Sequence, residues 1–385
     1  MMDNGSPKNG LRSRWDFAAR VLRPSRIGDG SKNRRANRVE TTARSPNRAG
    51  SSASTNRSVD VFCSGMYRAC STWQYEVVAH ILERHVEGRR LGYLTGEQYK
   101  DLVRNHAAGA IPSGAGWRVL KSHEGDRNFS RALAEGRALA VYAFRDVRDV
   151  VFSLMHKRGL TFEQLLRQGM IHQVLANDRF WTRQTRVLSQ RYEEILSDPV
   201  GGVRALAGHL GIDLADGEAE HIANEYSLES NKARTEALRR RLEQVGVDLN
   251  KAANAQICDS TTLLHWNHVR SGGSGSWYAE ATPLQRSILR RLCGRWLKDR
   301  DYSLIPAGSE SGGTRDTTLS ARDRFRIEVD LIVGWLNYQA RTASQRFPRL
   351  ALAVKRLVGI PTPPEVGATV FTDSKPKAPA ESSTR

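Results

Sequence analysis

The chain has 385 residues and a formal net charge of +18, with 59 Lys and Arg against 41 Asp and Glu. It lacks both the apolar stretch of a secretory signal and a run of about eighteen uncharged apolar residues, so we expect a soluble, cytoplasmic protein without a membrane span. The four cysteines, Cys63, Cys70, Cys258 and Cys293, do not have the spacing of metal ligands, and we predict neither disulfides nor a metal site.

Half of the net positive charge lies in the first 58 residues, which hold thirteen Lys and Arg against four Asp and Glu. Their low apolar content predicts a disordered basic arm over residues 1–57. A transit peptide is a second reading, although its four acidic residues argue against it. A basic nucleic-acid-binding protein is a third, and deleting the arm would separate such binding from any other activity.

Order begins near residue 58, where a β-prone run over 58–63 leads through a turn into a helical pattern over 72–85. Apolar runs predict two further strands over 117–122 and 138–144, of the kind that is buried on both faces of a parallel sheet. Helical patterns follow over 147–157, 161–189, 200–210, 218–245 and 283–298. This alternation predicts a three-layer α/β/α fold around a central, mainly parallel sheet.

Composition also sets the predicted domain boundaries. The core domain spans 58–306, and a Gly-, Ser- and Thr-rich linker follows over 307–320. Helical periodicity with many Arg resumes over 321–358, and a Pro- and Ser-rich tail, also predicted to be disordered, occupies 359–385. We expect this C-terminal helical extension to dock on the core or on a second copy in a homo-oligomer; an amphipathic helix lying on a membrane is the other reading.

The turn after the first strand reads S-G-M-Y-R-A-C-S-T-W over residues 64–73. Backbone amides at the start of a helix attract anions, and Arg68, Ser71 and Thr72 add a cation and two hydroxyls. An ordinary turn capped by Ser71 or Thr72 would look similar. A Walker A loop of a kinase or ATPase fits poorly, since Cys70 and Ser71 stand where Gly and the phosphate-binding Lys belong.

A second charged segment, R-D-V-R-D-V-V-F-S over residues 145–153, directly follows the third predicted strand. Arg145 leaves the end of that strand, and its guanidinium has the fork geometry that suits a phosphate. Charges at a helix start are usually solvated and paired with each other. The order of residues after a buried strand nevertheless favours an anion site.

These segments resemble motifs of the sulfotransferases that use PAPS (3′-phosphoadenosine 5′-phosphosulfate). The first loop is similar to the family's P-K-S-G-T-T-W, with Ala69 and Cys70 in place of Ser and Gly. Residues 142–153 are similar to Y-x-x-R-D-P-R-D-V-x-x-S, with Val147 in place of Pro, and residues 268–277 are similar to R-K-G-x-x-G-D-W, with Ser271 in place of Lys. The three motifs occur in the family's order, and the resemblance covers residues 60–303.

The resemblance implies a P-loop NTPase-like fold, PAPS as co-substrate without a metal, and transfer of the sulfuryl group to a hydroxyl or amine of a small-molecule or carbohydrate acceptor. It implies no specific nucleic-acid partner. A P-loop-like kinase remains the runner-up from the same fold. The residues that the resemblance assigns to the nucleotide are Arg68, Ala69, Cys70, Ser71, Thr72, Trp73, Arg145, Ser153, Tyr192, Arg270, Ser271 and Gly272.

The second predicted strand ends in Lys121-Ser122-His123, which resembles the family's K-T-H. A neutral imidazole can accept a proton at cytosolic pH, so we expect His123 to be the general base, with Glu124 and His268 as alternatives. Lys121 would stabilise charge on the transferred group, and Arg68 would do so on the bridging oxygen.

Overall fold

A computed structural model describes residues 59–107, 116–251, 254, 257–268, 273–304, 320–347 and 370–371. Five strands form the central sheet: β1 Val59–Gly65, β2 Gly88–Tyr93, β3 Trp117–Lys121, β4 Ala138–Phe144 and β5 Val187–Arg191. They are all parallel and lie in the order β2-β3-β1-β4-β5. A separate pair joins β6 Cys258–Asp259 to β7 Val370–Phe371.

Helices cover both faces of this sheet, because side chains alternate along each buried strand. Phe62 of β1 packs into one apolar core, while its neighbours Val61 and Cys63 pack into the other. The two cores and the parallel sheet confirm the predicted three-layer fold. The helices are α1 Ser71–His85, α2 Gly96–Ala107, α3 Arg127–Ala134, α4 Val147–Arg158, α5 Phe162–Arg167, α6 Met170–Trp181, α7 Tyr192–Ser197, α8 Pro199–Leu210, α9 Glu218–Glu225, α10 Leu228–Gln244, α11 Trp277–Glu280, α12 Pro283–Asp299 and α13 Ala321–Arg346.

Two of the predicted helices are divided in the structure. The segment 161–189 contains α5, α6 and the start of β5, because Gly169 adopts a left-handed conformation (φ 69°) between the helices and Val187–Arg191 pairs with β4. The segment 218–245 contains α9 and α10, and Ser227 caps the second of them. β2 was not predicted, since its sequence GRRLGY has no apolar run.

The C-terminal helix α13 packs on α5 and α6. Ile327 is buried there, and Arg167 Nε donates to Asp330 Oδ1 at 2.8 Å. Gly334 approaches the carbonyl of Leu166 so closely that a Cβ would lie 2.4 Å from its oxygen. The extension predicted over 321–358 therefore begins with a helix docked on the core, while residues 348–358 lie outside the described part. No helix that the structure describes is long and apolar enough to cross a bilayer.

The carboxyl ends of the parallel strands meet at one edge of the sheet, where open α/β sheets bind ligands. The segments that were predicted to carry chemistry leave the sheet at this edge. They are the loop 66–70 after β1, residues 121–123 at the end of β3, Arg145 after β4 and Tyr192 after β5.

Candidate active site

The loop after β1 is a tight turn that leads directly into α1. Arg68 and Cys70 both adopt left-handed backbone conformations, with φ of 65° and 69°. The amide of Gln74 donates to the Cys70 carbonyl at 3.0 Å, which is the first hydrogen bond of α1. The amides of residues 71–73 come before it and therefore have no acceptor within the helix. These groups lie at the positive end of the helix dipole, which favours an anion.

Arg68 extends from this loop and is held by two other segments. Its Nε donates to Ser153 Oγ on α4 at 3.0 Å, and its Nη2 donates to the carbonyl of His268. A guanidinium fixed by partners on α4 and on the chain near His268 loses little rotational freedom when it meets a ligand. Arg68 is therefore a preorganised cation at the start of α1.

Thr72 is the centre of a second set of contacts. Lys121 Nζ donates to Thr72 Oγ1, and His268 Nε2 lies 3.4 Å from the same oxygen. Because Thr72 Oγ1 accepts from these groups, its own hydrogen is left to donate to another molecule. Burial lowers the pKa of Lys121 to about 8, so its charge is retained at neutral pH but is easily perturbed.

His123 and His268 differ in the ring nitrogen that can accept a proton. Nδ1 of His123 lies 2.8 Å from the carbonyl oxygen of Gly65, which can only accept, so Nδ1 carries the hydrogen and Nε2 carries the lone pair. In His268, Nδ1 accepts from the amide of His265 at 3.3 Å, so Nε2–H donates to Thr72. Among these two imidazoles, the geometry leaves a free lone pair on His123.

Burial, followed by the charge of Lys121, lowers the pKa of His123 to about 3. The ring is therefore neutral at physiological pH, as a proton acceptor must be. Its basicity in the ligand-free protein is weak, and negative charge in a filled site would raise it.

Arg145 lies at the carboxyl end of β4 and is largely buried. Its guanidinium stacks on the Tyr192 ring with 4.3 Å between Cζ and the ring centroid, and its Nη2 donates to the Gly273 carbonyl at 2.5 Å. Among the residues that the structure describes, Nε of Arg145 has no hydrogen-bond partner. A buried guanidinium with an unused donor suits an anionic ligand.

Arg148, three residues further along, has a different role. Its guanidinium pairs with Asp146 at 2.7 Å and donates to the carbonyls of Ser303 and Leu304 at the end of the core. It also stacks on the Trp277 ring, with 4.1 Å between Cζ and the centroid. The self-paired reading of this charged segment thus holds fully for Asp146 and Arg148, whereas Arg145 lies 3.5 Å from Asp149 and also lines the first cavity.

The last motif is held against the site from both ends. Asp149 accepts from the amides of Gly275 at 2.7 Å and Trp277 at 3.2 Å, and it lies 3.5 Å from Arg145. His268 contacts the first loop at the other end. The predicted nucleotide residues Arg270, Ser271 and Gly272 come between His268 and Gly273 in the sequence and are outside the described residues.

Two cavities meet at this edge of the sheet. The first, of about 370 Å³, is lined by the predicted nucleotide residues Arg68, Cys70, Thr72, Trp73, Arg145, Ser153 and Tyr192. The second, of about 930 Å³, contains Lys121, His123 and Ser71. Arg68, Cys70 and His268 line both cavities and form the wall between them.

A family profile described as the sulfotransferase domain matches residues 58–301. The chain belongs to this sulfotransferase family. The match confirms the resemblance that the three motifs indicated. Within the described residues, no group of three or more His, Cys, Asp or Glu is arranged to hold a metal ion.

Individual relatives of this sulfotransferase-family chain are distant. It is 25% identical to human sulfotransferase 2B1 over 195 residues, which are 46% of this chain and 53% of that protein, so the match spans about half of the relative. Among solved structures, mouse sulfotransferase SULT7A1 complexed with PAP is 18% identical with a TM-score of 0.46, over 64% of this chain and 85% of that one. Retinol dehydratase in complex with androsterone and inactive cofactor PAP is 18% identical with a TM-score of 0.45, over 63% and 82%.

The structure brings most of the predicted site residues together. Ala69, predicted to contact the nucleotide, is fully buried within the loop, and both Ala69 and Ser71 line the second cavity instead of the first. Glu124, one of the alternative bases, does not line either cavity among the described residues, although burial raises its pKa. Sequence reasoning missed Tyr67, Tyr93 and Lys157, which line the second cavity. Lys157 lies one helical turn after Ser153, and that spacing was the available signal.

Cys70 provides a first test of the loop. A residue with a Cβ in the left-handed region is disfavoured by about 1–2 kcal/mol, and Gly is not. Because Gly also gains freedom in the unfolded chain, we expect Cys70→Gly to raise the free energy of unfolding by about 1 kcal/mol. Denaturant unfolding would measure this, with Cys70→Ala as the control that removes the thiol and keeps Cβ. Equal stability of the two variants would contradict the strain.

Proposed function

We propose that this chain transfers a sulfuryl group from PAPS to a hydroxyl or amine of a small-molecule or carbohydrate acceptor. The observation that carries this proposal is the pair of cavities meeting at Arg68. One is lined by Arg145, Ser153 and other residues of the family's nucleotide motifs, and the other is lined by Lys121 and His123. Donor and acceptor can then approach one point from opposite sides, as an in-line transfer requires.

The first cavity fits the nucleotide in size and chemistry. A volume of about 370 Å³ is in the range of small-molecule sites, and Trp73 and Tyr192 provide aromatic surface for a purine. Arg145 has an unused buried donor, and the Ser153 hydroxyl, which accepts from Arg68, can donate its hydrogen. We assign the 3′-phosphate to Arg145 and Ser153, with Arg270, Ser271 and Gly272 added on the basis of the resemblance.

The bound PAPS supplies the sulfuryl group, and the side chains supply position and charge. Arg68, fixed by Ser153, is placed to stabilise charge on the bridging oxygen, and the amides of residues 71–73 to hold the 5′-phosphate. Lys121 faces the transferred group, while Nε2 of His123 takes the proton of the acceptor. Burial raises the pKa of the Cys70 thiol to about 12, so it stays protonated and is a poor nucleophile.

Ligand-induced stabilisation tests the donor assignment. We expect adenosine 3′,5′-bisphosphate to raise the melting temperature more than AMP at the same concentration, because AMP lacks the phosphate assigned to Arg145. A ligand at a hundred times its Kd stabilises by about 2.7 kcal/mol, which a thermal scan resolves. Equal shifts from the two nucleotides would be the contrary result. Turnover of Mg²⁺-ATP would instead favour the kinase reading.

A further inference from the structure

The second cavity is lined by an excess of positively charged side chains. The cationic side chains that line it are Arg68, Arg90, Lys121, Lys157 and Arg158. Within the described part of the chain, no Asp or Glu lines it. Three of the cations have an evident use: Arg68 and Lys121 belong to the transfer point, and Arg90 forms a two-point pair with Glu83 at 2.8 and 3.1 Å. Lys157 and Arg158 remain to be explained.

These two residues lie in the last turn of α4, the helix that carries Ser153. Lys157 follows Ser153 by four residues and Arg158 follows Leu154 by four, so each pair shares a helix face. Ser153 holds Arg68 at 3.0 Å, and α4 therefore leads from the transfer point along the wall of the second cavity.

Neither cation is neutralised by the described residues. Arg158 Nη1 contacts the sulfur of Met170 at 3.8 Å, which is a weak acceptor, and no carboxylate among those residues pairs with Lys157 or Arg158. Burial, followed by the charges of Arg68, Lys121 and Arg158, lowers the pKa of Lys157 to about 7. Lys157 is half-buried and Arg158 is exposed. A partly desolvated cation such as Lys157 beside other cations is unfavourable by itself, and an anion bound among them would offset this.

We propose that Lys157 and Arg158 bind an anionic group of the acceptor itself, a carboxylate, phosphate or sulfate, while its hydroxyl or amine lies beside His123. This inference rests on the proposed function and narrows its acceptor class. Tyr67 and Tyr93 flank His123, with ring centroids 4.8 and 6.1 Å from the imidazole, and provide a surface for the apolar part of such an acceptor.

The alternative use of Lys157 is on the donor. Lys157 and Arg158 line the second cavity and are absent from the described lining of the first, which favours the acceptor side. Affinity for adenosine 3′,5′-bisphosphate distinguishes the two uses. If Lys157 contacts the donor, Lys157→Met should lose this affinity; if it contacts the acceptor, the affinity should stay the same.

The test is calorimetric binding to the full chain saturated with adenosine 3′,5′-bisphosphate, which fills the first cavity. Two matched probe sets are used: 4-hydroxyphenylacetate, its neutral amide and tyramine, and glucose 6-phosphate with glucose. We expect the anionic member of at least one set to bind tenfold or more tightly than its neutral counterpart, with no binding of tyramine. Lys157→Met and Arg158→Met should each reduce that preference at least threefold, and Lys157→Arg should keep it.

Folding of the variants is checked by their melting temperature, which should rise in ligand-free Lys157→Met because an unfavourably placed cation is removed. No preference for anions in either probe set, or a preference that survives the double substitution, would overturn the assignment. A loss of adenosine 3′,5′-bisphosphate binding in Lys157→Met would overturn it by moving Lys157 to the donor. Failure of the unaltered protein to bind this nucleotide would overturn the proposed function together with the acceptor assignment.

Discussion

His123→Ala should reduce sulfuryl transfer by about 10²–10⁴-fold while leaving the affinity for adenosine 3′,5′-bisphosphate nearly unchanged. The imidazole lines the second cavity, which we propose holds the acceptor, and its Nδ1 is committed to the Gly65 carbonyl. Its loss therefore removes a proton acceptor and no contact with the nucleotide cavity. Turnover of an acceptor found by screening with labelled PAPS, together with calorimetric nucleotide binding, would measure the two effects separately.

His268→Ala is the matched control for this experiment. Its ring lines both cavities, but both ring nitrogens are engaged, Nδ1 by the His265 amide and Nε2 by Thr72. We therefore expect a smaller loss of turnover, accompanied by some loss of nucleotide affinity. If a correctly folded His123→Ala protein keeps near-normal turnover, His123 is not the base, and Glu124 and His268 become the candidates.

Arg145→Ala should have the opposite pattern, in which nucleotide affinity falls first. Removing the buried guanidinium takes away charge-assisted bonds to the 3′-phosphate, which corresponds to about 2 kcal/mol or roughly a thirtyfold weaker Kd for adenosine 3′,5′-bisphosphate. AMP has no phosphate at this position, so its affinity should change little. Calorimetry with both nucleotides would give the ratio directly.

Two further variants keep this result interpretable. Arg145→Lys retains the charge without the fork and should give an intermediate affinity. Arg148→Ala removes a neighbouring cation that contacts Ser303, Leu304 and Trp277. It should therefore lower the melting temperature and leave the ratio of bisphosphate affinity to AMP affinity nearly unchanged. An unchanged ratio in Arg145→Ala would place the 3′-phosphate elsewhere.

The fold was predictable where local pattern and burial agree. The third predicted strand has the bounds of β4, because a parallel strand buried on both faces is an unbroken apolar run between polar ends. The two segments proposed to bind phosphate, residues 64–73 and 145–153, were predictable for a related reason, since each follows a buried parallel strand. β2 was not predicted because a half-buried edge strand does not need an apolar run. The break between α5 and α6 was also missed, because a single glycine, Gly169, does not by itself indicate the end of a helix.

The details of the site depend on contacts between distant segments, which sequence spacing does not give. The lone pair of His123 is set by the Gly65 carbonyl, 58 residues away, and Nε2 of His268 meets Thr72, 196 residues away. The different roles of Arg145 and Arg148 likewise depend on Tyr192 in one case and on Ser303 in the other. One-dimensional patterns predict which residue types meet, whereas protonation and pairing follow from the folded geometry.

The wall that Arg68, Cys70 and His268 form between the cavities bears on the order of the kinetic steps. If donor and acceptor occupy separate cavities, as we propose, neither has to leave before the other enters, and we expect a ternary complex to precede the reaction. Steady-state plots at several donor concentrations would then intersect instead of running parallel. A single molecule could also join a part that fits the first cavity to a part that fits the second, with its linker beside Arg68. Each part would then raise the effective concentration of the other, and the affinity of the joined molecule would exceed that of either part.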